Sequence, residues 1–416
     1  MKAVKMMAVS AVLSLICTSC SSAPVITEQQ QQVEISLSWW GNDSRHEYTL
    51  AGVEAFEKLH PDIRVNCSYS EWSGYESRSR VQMVSDTEAD VMQINFGWLS
   101  EYSADGSGYY DLEKVSDVID LSSYSDEMLE YGRKNGILNA VPIAMNAETV
   151  YINSSIYQKY NLSVPKHWDD FIDAARVMRK DGVYPIAGAE KSIWLFTISY
   201  AEQKTGKSFL KDDGSLNFSV NDLQIMLEFH KRMIDEKVYP QVKDFSRTCI
   251  ENGTYAGAVA WVSDAVNYFK DVQQQGTVIE VAPYTTVEGM EPGEGWYAKP
   301  ATMYAISRNT EHPKESAMLL DFLLNSSEMT VLQGVEKGIP LSTTARETLD
   351  RENMLQGIQY NASLCMEQNT ELNQMNSFIE NDSLIKKYTE ACNLVVFDKA
   401  TPEQAAAKLY ADIKGK

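Results

Sequence analysis

Residues 33–75 read VEISLSWWGNDSRHEYTLAGVEAFEKLHPDIRVNCSYSEWSGY, and their pattern decides the fold class. Val33, Ile35 and Leu37 alternate with polar residues, the period-two signature of a strand. Ser44 and Glu47 have the spacing of a capping box, which predicts a helix start, and Leu50, Val53, Phe56 and Leu59 then keep helical spacing. Pro61 stops that helix because it has no N–H to donate, and Ile63, Val65, Cys67 and Tyr69 alternate as a second strand. This is a β-α-β unit. A second helix around 75–85 leads to Val91, Met92 and Ile94, a short buried strand. The class is therefore α/β, and parallel sheets of this kind bind ligands outside the carboxyl ends of their strands.

Those strand ends are the most informative part of the chain. The first finishes in Trp39, Trp40, Gly41, Asn42 and Asp43, the second in Glu71, Trp72, Ser73, Gly74 and Tyr75, and the third in Asn95, Phe96, Gly97 and Trp98. Four of the eight tryptophans fall on one rim. A single tryptophan there is explained as well by capping a core. Three consecutive ends that combine aromatic faces with amides and carboxylates point instead to a sugar, whose C–H faces stack on rings while its hydroxyls need donors and acceptors.

The amino terminus carries a different message. Lys2 and Lys5 precede a short apolar run, residues 6–16, well below the roughly 20 residues that span a bilayer. It reads as a signal peptide, residues 1–19. Small residues before Cys20 resemble the lipobox of bacterial lipoproteins, which places cleavage before Cys20 and a lipid on its thiol; Cys17 stands where that motif usually has Leu. The same residues spell C-x-x-C, but a redox pair split by cleavage is the weaker reading. Residues 20–32, with Pro24 and four glutamines at 29–32, read as the lipidated cysteine and a flexible tether. No later stretch is apolar for 18 residues, so the mature chain is not expected to cross a membrane. Cys67, Cys249, Cys365 and Cys392 are too few for a disulfide scaffold in a chain this long; Cys365 with Cys392 is the only pair to consider for a bridge, and two buried free thiols are the favoured reading.

The 416 residues make two or three domains' worth of chain, and 44% hydrophobic content supports sizeable cores. With 37 basic and 58 acidic residues, the net charge of −21 argues against nucleic acid as partner. The signs of catalysis are weak. The five histidines never fall within four residues of one another, which removes a helical zinc pair, and there is no G-x-S-x-G elbow. The stretch 201–208 ends Thr205, Gly206, Lys207, Ser208 but has Ala201 where a P-loop needs glycine. Asp212, Asp213 and Gly214 lack calcium-loop spacing and read as a turn. No metal and no cofactor are expected. Carboxylate pairs for glycoside hydrolysis stay open, because spatial separation is invisible in sequence.

Farther along, residues 141–152 run into an apolar stretch, Pro165 and Trp168 open a helix, and helices are predicted at 221–236, 313–325 and 401–413. Taken in order, Trp39 to Asp43 with Arg45, His46 and Glu47, then Phe56, Pro61 to Ile63, Asp90 to Met92, Trp98, Pro142 to Tyr151, Pro165 with Trp168, Tyr255 to Asp264, Pro313 to Leu324 and Gly338, Ile339, Pro340 resemble family 1 extracellular solute-binding proteins, the lipid-tethered receptors of ABC sugar importers, with a maltose-binding-protein-like layout.

The resemblance implies a two-lobe, type II periplasmic-binding-protein-like fold with the ligand between lobes: 33–145 plus 263–309 as the N-terminal lobe, 146–262 plus 310–416 as the C-terminal lobe. It carries site roles to Asn42, Asp43, Asn146, Trp261, Ser263, Asp264, Trp296 and Tyr297. Asn146 stands where maltose-binding protein has an acid, so maltodextrin specificity does not transfer. The reading of strand ends and loops adds Trp40, Trp72, Tyr75, Asn95, Trp98 and Trp194. The expected function is non-enzymatic: a monomeric, lipid-anchored receptor on the extracellular face of the cell membrane that captures an oligosaccharide and delivers it to permease subunits driven by a cytosolic ATPase. The alternatives are a surface glycoside hydrolase or polysaccharide lyase, and thirdly an adhesin. Arg45, His46, Arg78 and Arg80 near the rim could serve uronic acids, but Arg78 and Arg80 read rather as solvated surface charge, and the negative field of the whole chain disfavours an anionic ligand unless local charges screen it.

Overall fold

The computed structural model describes residues 32–369 and 371–415; the expected leader, Cys20 and the tether up to residue 31 lie outside them. Strand β1 (Val33–Trp40), helix α1 (Asp43–Leu59) and strand β2 (Ile63–Ser70) form the β-α-β unit, with β1 and β2 parallel in full register from Val33 against Ile63 to Trp40 against Ser70. Helix α2 (Trp72–Ser85) leads to β3 (Val91–Ile94), parallel to β1, and helix α3 (Phe96–Tyr102) follows at once. All three strands therefore end on the same edge, and each feeds a helix start there.

The helix start is capped by a different residue than the sequence indicates, and without a capping box. Asn42 is the N-cap: its backbone is extended and its side-chain oxygen accepts from Arg45 N–H at 2.9 Å. Ser44 and Glu47 are consequently ordinary exposed residues of the helix.

After the small hairpin β4 (Arg133–Lys134) and β5 (Ile137–Leu138), the chain enters a 14-residue strand, β6 (Ala140–Asn153). This strand belongs to both lobes. Residues 140–147 pair antiparallel with β9 (Tyr297–Ile306), whose far end pairs with β3; Glu148 to Ile152 pair with β7 (Gly257–Trp261), and Tyr151 to Asn153 with β8 (Ile279–Val281). The short β10 (Asn373–Gln374) adds to the start of β9. The sheet order is β2-β1-β3-β9-β6-β7. Register shifts occur between Pro142 and Ala144 and between Ala144 and Met145, and Pro300 faces Met145 across the pair. Proline cannot donate to a ladder and bulges bend strands, so the two long strands change direction where they pass between lobes.

Core packing corrects the expected lobe boundaries. Ala317, Leu320, Leu324 and Met329, on helices Pro313–Asn325 and Ser327–Gln333, pack with Leu37, Phe56, Val91 and Ile306, so the chain after β9 returns to the first lobe. Conversely, helix Ala265–Gln274 and β8 bury Tyr268, Phe269, Val272 and Ile279 with Tyr151, Ala258 and Ile358, inside the second lobe. Helix Ile358–Glu367 and the last two helices, Asp382–Val396 and Pro402–Lys414, complete the second lobe. The expectation assigned 263–309 and 310–416 as whole blocks because it took the crossing after Trp261 for a return to the first lobe. The return is β9, some 35 residues later in the chain. Each large apolar side chain fully buried in these cores contributes roughly 1.5–3 kcal/mol.

The four described cysteines are all thiols, so Cys365 and Cys392 are not bridged. Burial pushes the Cys392 thiol up to about 12, which leaves it unreactive. The near-P-loop lies at the wrong helix end: Gly206, at φ +67°, closes the carboxyl end of Glu190–Thr205, whereas phosphate is bound at amino ends. Among the described residues, no helix is long and apolar enough to cross a membrane.

Candidate ligand cleft

A cavity of about 590 Å³ lies between the lobes, within the roughly 300–1,000 Å³ typical of small-ligand pockets. Its first-lobe wall is the edge where β1, β2 and β3 end. Trp40, Asn42, Arg45, Trp72 and Asn95 line it. The asparagines are there because helices begin there. Asn42 and Asn95 each spend the amide oxygen on a cap, Asn95 accepting from Gly97 N–H at 2.9 Å, which leaves each NH₂ as a donor at the cavity wall. Asp43 is exposed in the first turn of α1 and does not line the cavity.

The four aromatic residues taken from strand ends form one cluster. Trp40 meets Trp72 edge-on at 5.0 Å and Tyr75 at 5.4 Å, while Trp98 stacks on Trp72 at 5.9 Å and on Tyr75 at 6.0 Å. They are not equivalent. Trp72 is 38% exposed and Trp40 half-buried, so these two present their faces. Tyr75 and Trp98 are buried behind them, and Tyr75 Oη donates to the Gln93 carbonyl at 2.7 Å. Trp72 and Asn95 also border a second recess of about 530 Å³, lined by Arg80, Lys191, Phe378 and Glu380 from both lobes.

The second-lobe wall is built on the end of β7: Trp261, Ser263, Asp264 and Asn267, with Gln359 from helix Ile358–Glu367. Lys299 lies 4.6 Å from the Trp261 ring centroid and pairs with Glu380, which Lys191 also meets at 3.4 Å. Burial opposes ionisation of Glu380, yet the two lysines hold its carboxyl below the usual range. Asn146 does not line the cavity. It sits at the crossing and hydrogen-bonds Ser263 in both directions.

Three expected site residues are in the second-lobe core instead. Trp194 is buried against Phe209 and Tyr388 and donates to the Ile379 carbonyl at 2.9 Å. Trp296 stacks on Trp168 at 6.1 Å and donates to the Thr285 carbonyl at 2.9 Å. Tyr297 bonds the buried Glu202, whose carboxyl burial pushes up to about 7. The chain has not reached the crossing at these positions, so their rings serve packing.

Contributors that were not predicted include Glu336 and Lys337 from the loop before helix Thr343–Arg351, Gln359, Asn267, and Ala301 and Thr302 on β9. The loop's signal was present in Gly338, Ile339 and Pro340, which carried the resemblance but received no role. Gly338 has φ +106° and abuts Ala144, where an added Cβ would lie 2.6 Å from the Ala144 Cβ. Only glycine suits that position, and it turns residues 336 and 337 toward the cavity. Lys337 is buried, donates to Tyr304 Oη at 2.5 Å, and has its ammonium pKa pushed well down by burial and by the Arg45 charge. Among the described residues, no cluster of three or more His, Cys, Asp or Glu could hold a metal ion.

The chain is similar to known extracellular binding proteins. A family profile described as bacterial extracellular solute-binding protein matches residues 42–330. An uncharacterized ABC transporter extracellular-binding protein of Pyrococcus horikoshii is 24% identical over 354 residues, 80% of this chain and 78% of that one. The melibiose/raffinose/stachyose-binding protein of Bacillus subtilis is 27% identical over 187 residues, 43% of this chain and 42% of that one. Among solved structures, a periplasmic oligogalacturonide binding protein from Yersinia enterocolitica, in complex with saturated digalacturonic acid, superposes with a TM-score of 0.82 at 30% identity, covering 92% of this chain and 98% of that one.

Proposed function

The chain belongs to the bacterial extracellular solute-binding protein family, and on that premise we propose that it captures an oligosaccharide between its lobes and hands it to the permease of an ABC importer. The observation that carries this reading is one cavity with Trp40 and Trp72 on its first-lobe wall and Trp261 on its second, interleaved with amide and carboxylate groups. Rings on opposing walls let a sugar stack on both sides once the lobes close, and the polar groups between them set which hydroxyls are accepted. The named relatives bind melibiose, raffinose and stachyose in one case and digalacturonic acid in another.

The ligand class best supported is an acidic oligosaccharide. Arg45 and Lys337 line the cavity beside the acids Glu336 and Asp264, and Lys299 lies behind Trp261 paired with Glu380, so basic groups gather at the cleft of a chain whose net charge is −21. Such local charges offset the negative field of the whole molecule where an anionic sugar would enter. Cys20 is the proposed lipid attachment on the extracellular face, with a monomer as the working unit and a cytosolic ATPase supplying energy to the permease. The proposed role is capture without chemistry.

Calorimetric titration of purified protein with raffinose, galactobiose and digalacturonic acid tests the reading, with chromatography of the ligand afterwards. Saturable binding of an oligosaccharide recovered intact is the expected result. New reducing ends or unsaturated products would support the glycosidase or lyase alternative, and binding to long polymer alone would support an adhesin.

A further inference from the structure

We propose that Arg45 and Lys337 form the subsite that reads a sugar carboxylate, and that Glu336 occupies this subsite as an internal carboxylate which the ligand's carboxylate displaces. The inference rests on the acidic-oligosaccharide reading and goes beyond it by assigning the residues and the exchange.

The charge balance of the cluster motivates it. Arg45 Nη2 lies 3.6 Å from Glu336 Oε1, outside hydrogen-bond range, and donates instead to the Glu336 backbone carbonyl at 3.3 Å. Arg45 Nε is buried without a hydrogen-bond partner among the described residues. A guanidinium is a planar fork of five donors suited to bidentate carboxylates, and Glu336 engages it by charge alone. Beside it, Lys337 is 2% exposed; among the described residues it makes no ion pair, and its contacts are the Tyr304 hydroxyl and the Tyr304 and Tyr48 rings. Arg45 thus has one loosely held acid, whose side chain is 38% exposed, and the buried Lys337 amine, its pKa pushed well down by burial, has none within ion-pair range. A second carboxylate placed against both would engage the guanidinium fork and favour the protonated Lys337, recovering what Glu336 leaves unmet.

The loop bearing the acid is built to yield it without losing its place. Its backbone is held from both lobes: Leu341 N–H donates to the Ile143 carbonyl at 3.0 Å on β6, and Gln359 Nε2 donates to the Val335 carbonyl at 3.0 Å from the second lobe. Among the described residues, the Glu336 carboxylate itself has the Arg45 ion pair and the Asn42 amide, at 3.5 Å, as its polar partners. Releasing it frees the Asn42 NH₂ and the guanidinium together, at the wall that also carries Trp40.

The test compares digalacturonic acid with galactobiose, its neutral counterpart, by calorimetry on the full chain and on Glu336→Gln, Arg45→Gln and Arg45→Lys. The readout is the ratio of acidic to neutral affinity, which discriminates charge recognition from a general loss of the site. Glu336→Gln is expected to raise that ratio three- to thirtyfold, since the competitor's charge is gone. Arg45→Gln should lower it at least tenfold, and Arg45→Lys, which keeps the charge but not the fork, should fall between. A ratio that drops in Glu336→Gln would make Glu336 a direct sugar contact and overturn the exchange. Wild-type binding of galactobiose but not of digalacturonic acid would overturn both the acidic ligand class and the subsite, leaving an oligosaccharide receptor. Binding of neither, and of no other oligosaccharide, would overturn the receptor reading itself. A thermal melt of each variant identifies any that fail to fold, and in that case the remaining Arg45 or Glu336 variants decide.

Discussion

Asn146 and Ser263 exchange two hydrogen bonds: Asn146 Nδ2 donates to Ser263 Oγ at 3.0 Å, and Ser263 N–H donates back to Asn146 Oδ1 at 3.1 Å. The pair ties the crossing strand β6 to the loop that presents Trp261 and Asp264. Asn146 is 6% exposed, so losing its side chain leaves buried groups without partners. Asn146→Ala should lower stability by about 1–3 kcal/mol, read from denaturant melts, and also weaken sugar binding by loosening the Trp261 loop. Ser263→Ala removes one of the two bonds and should cost less on both measures. Normal sugar affinity in a stably folded Asn146→Ala protein would refute the positioning role.

The tryptophans should divide into two classes. Trp261 is half-buried at the cavity wall, and Trp261→Ala is expected to cost about 1–3 kcal/mol of binding, as loss of a hot-spot ring does, with a small change in melting temperature. Trp296 and Trp194 are each 1% exposed in the second-lobe core, and their alanine variants should lose about 3–5 kcal/mol of stability while surviving molecules bind sugar normally. Melts and calorimetry on the three variants separate the classes.

That division marks what sequence could and could not convey. The β-α-β unit was legible because alternation and helical spacing are local, and helix 313–325 was placed to the residue because Pro313 opens it. Trp40, Trp72 and Asn95 were legible because a strand's carboxyl end is a topological position. Trp194 and Trp296 look no different in sequence, since burial depends on what packs around them. The lobe boundary was hidden for a related reason: β6 and β9 are buried along nearly their whole length in both lobes, so no change of pattern marks the crossing, and the bulges at Pro142, Ala144 and Met145 exist only in the pairing. Glu336 and Lys337 join Arg45 from about 290 residues away in the chain, a closeness that no spacing reports.

The first loop yields a sharper contrast than the sequence indicated. Asn42 caps α1 and lines the cavity, so Asn42→Ala should lose about 1 kcal/mol of stability together with sugar affinity. Asp43 is exposed and away from the cavity wall, so Asp43→Ala should move stability by less than about 0.5 kcal/mol and leave affinity within twofold. Parallel melts and titrations check both. A large affinity loss in Asp43→Ala alone would place the ligand farther out along α1.

The last prediction concerns Glu148, beside the crossing and 2% exposed, which accepts from Ser192 Oγ at 3.0 Å. Burial pushes its carboxyl up to about 8; the Asp264 and Glu380 charges push the same way, while the Ser192 hydroxyl and Lys299 oppose them. In the unfolded chain the group returns to roughly 4.3. Between those values the folded protein holds a proton that the unfolded chain has released, so stability falls as pH rises. The contribution is fully present below about pH 4.3 and is lost as pH climbs through about 8. A displacement of that size corresponds to a few kcal/mol, at roughly 1.4 kcal/mol for each pKa step. Glu148→Gln keeps the shape and the Ser192 bond without a titrating proton. Glu202, raised to about 7, titrates in an overlapping range, so the variant's profile is expected to be flatter than wild type rather than level. Urea melts at several pH values from 4 to 9 should show the two stability curves diverging across that range, with wild type falling more steeply. Curves that run parallel throughout would mean that Glu148 keeps an ordinary carboxylate pKa despite its burial.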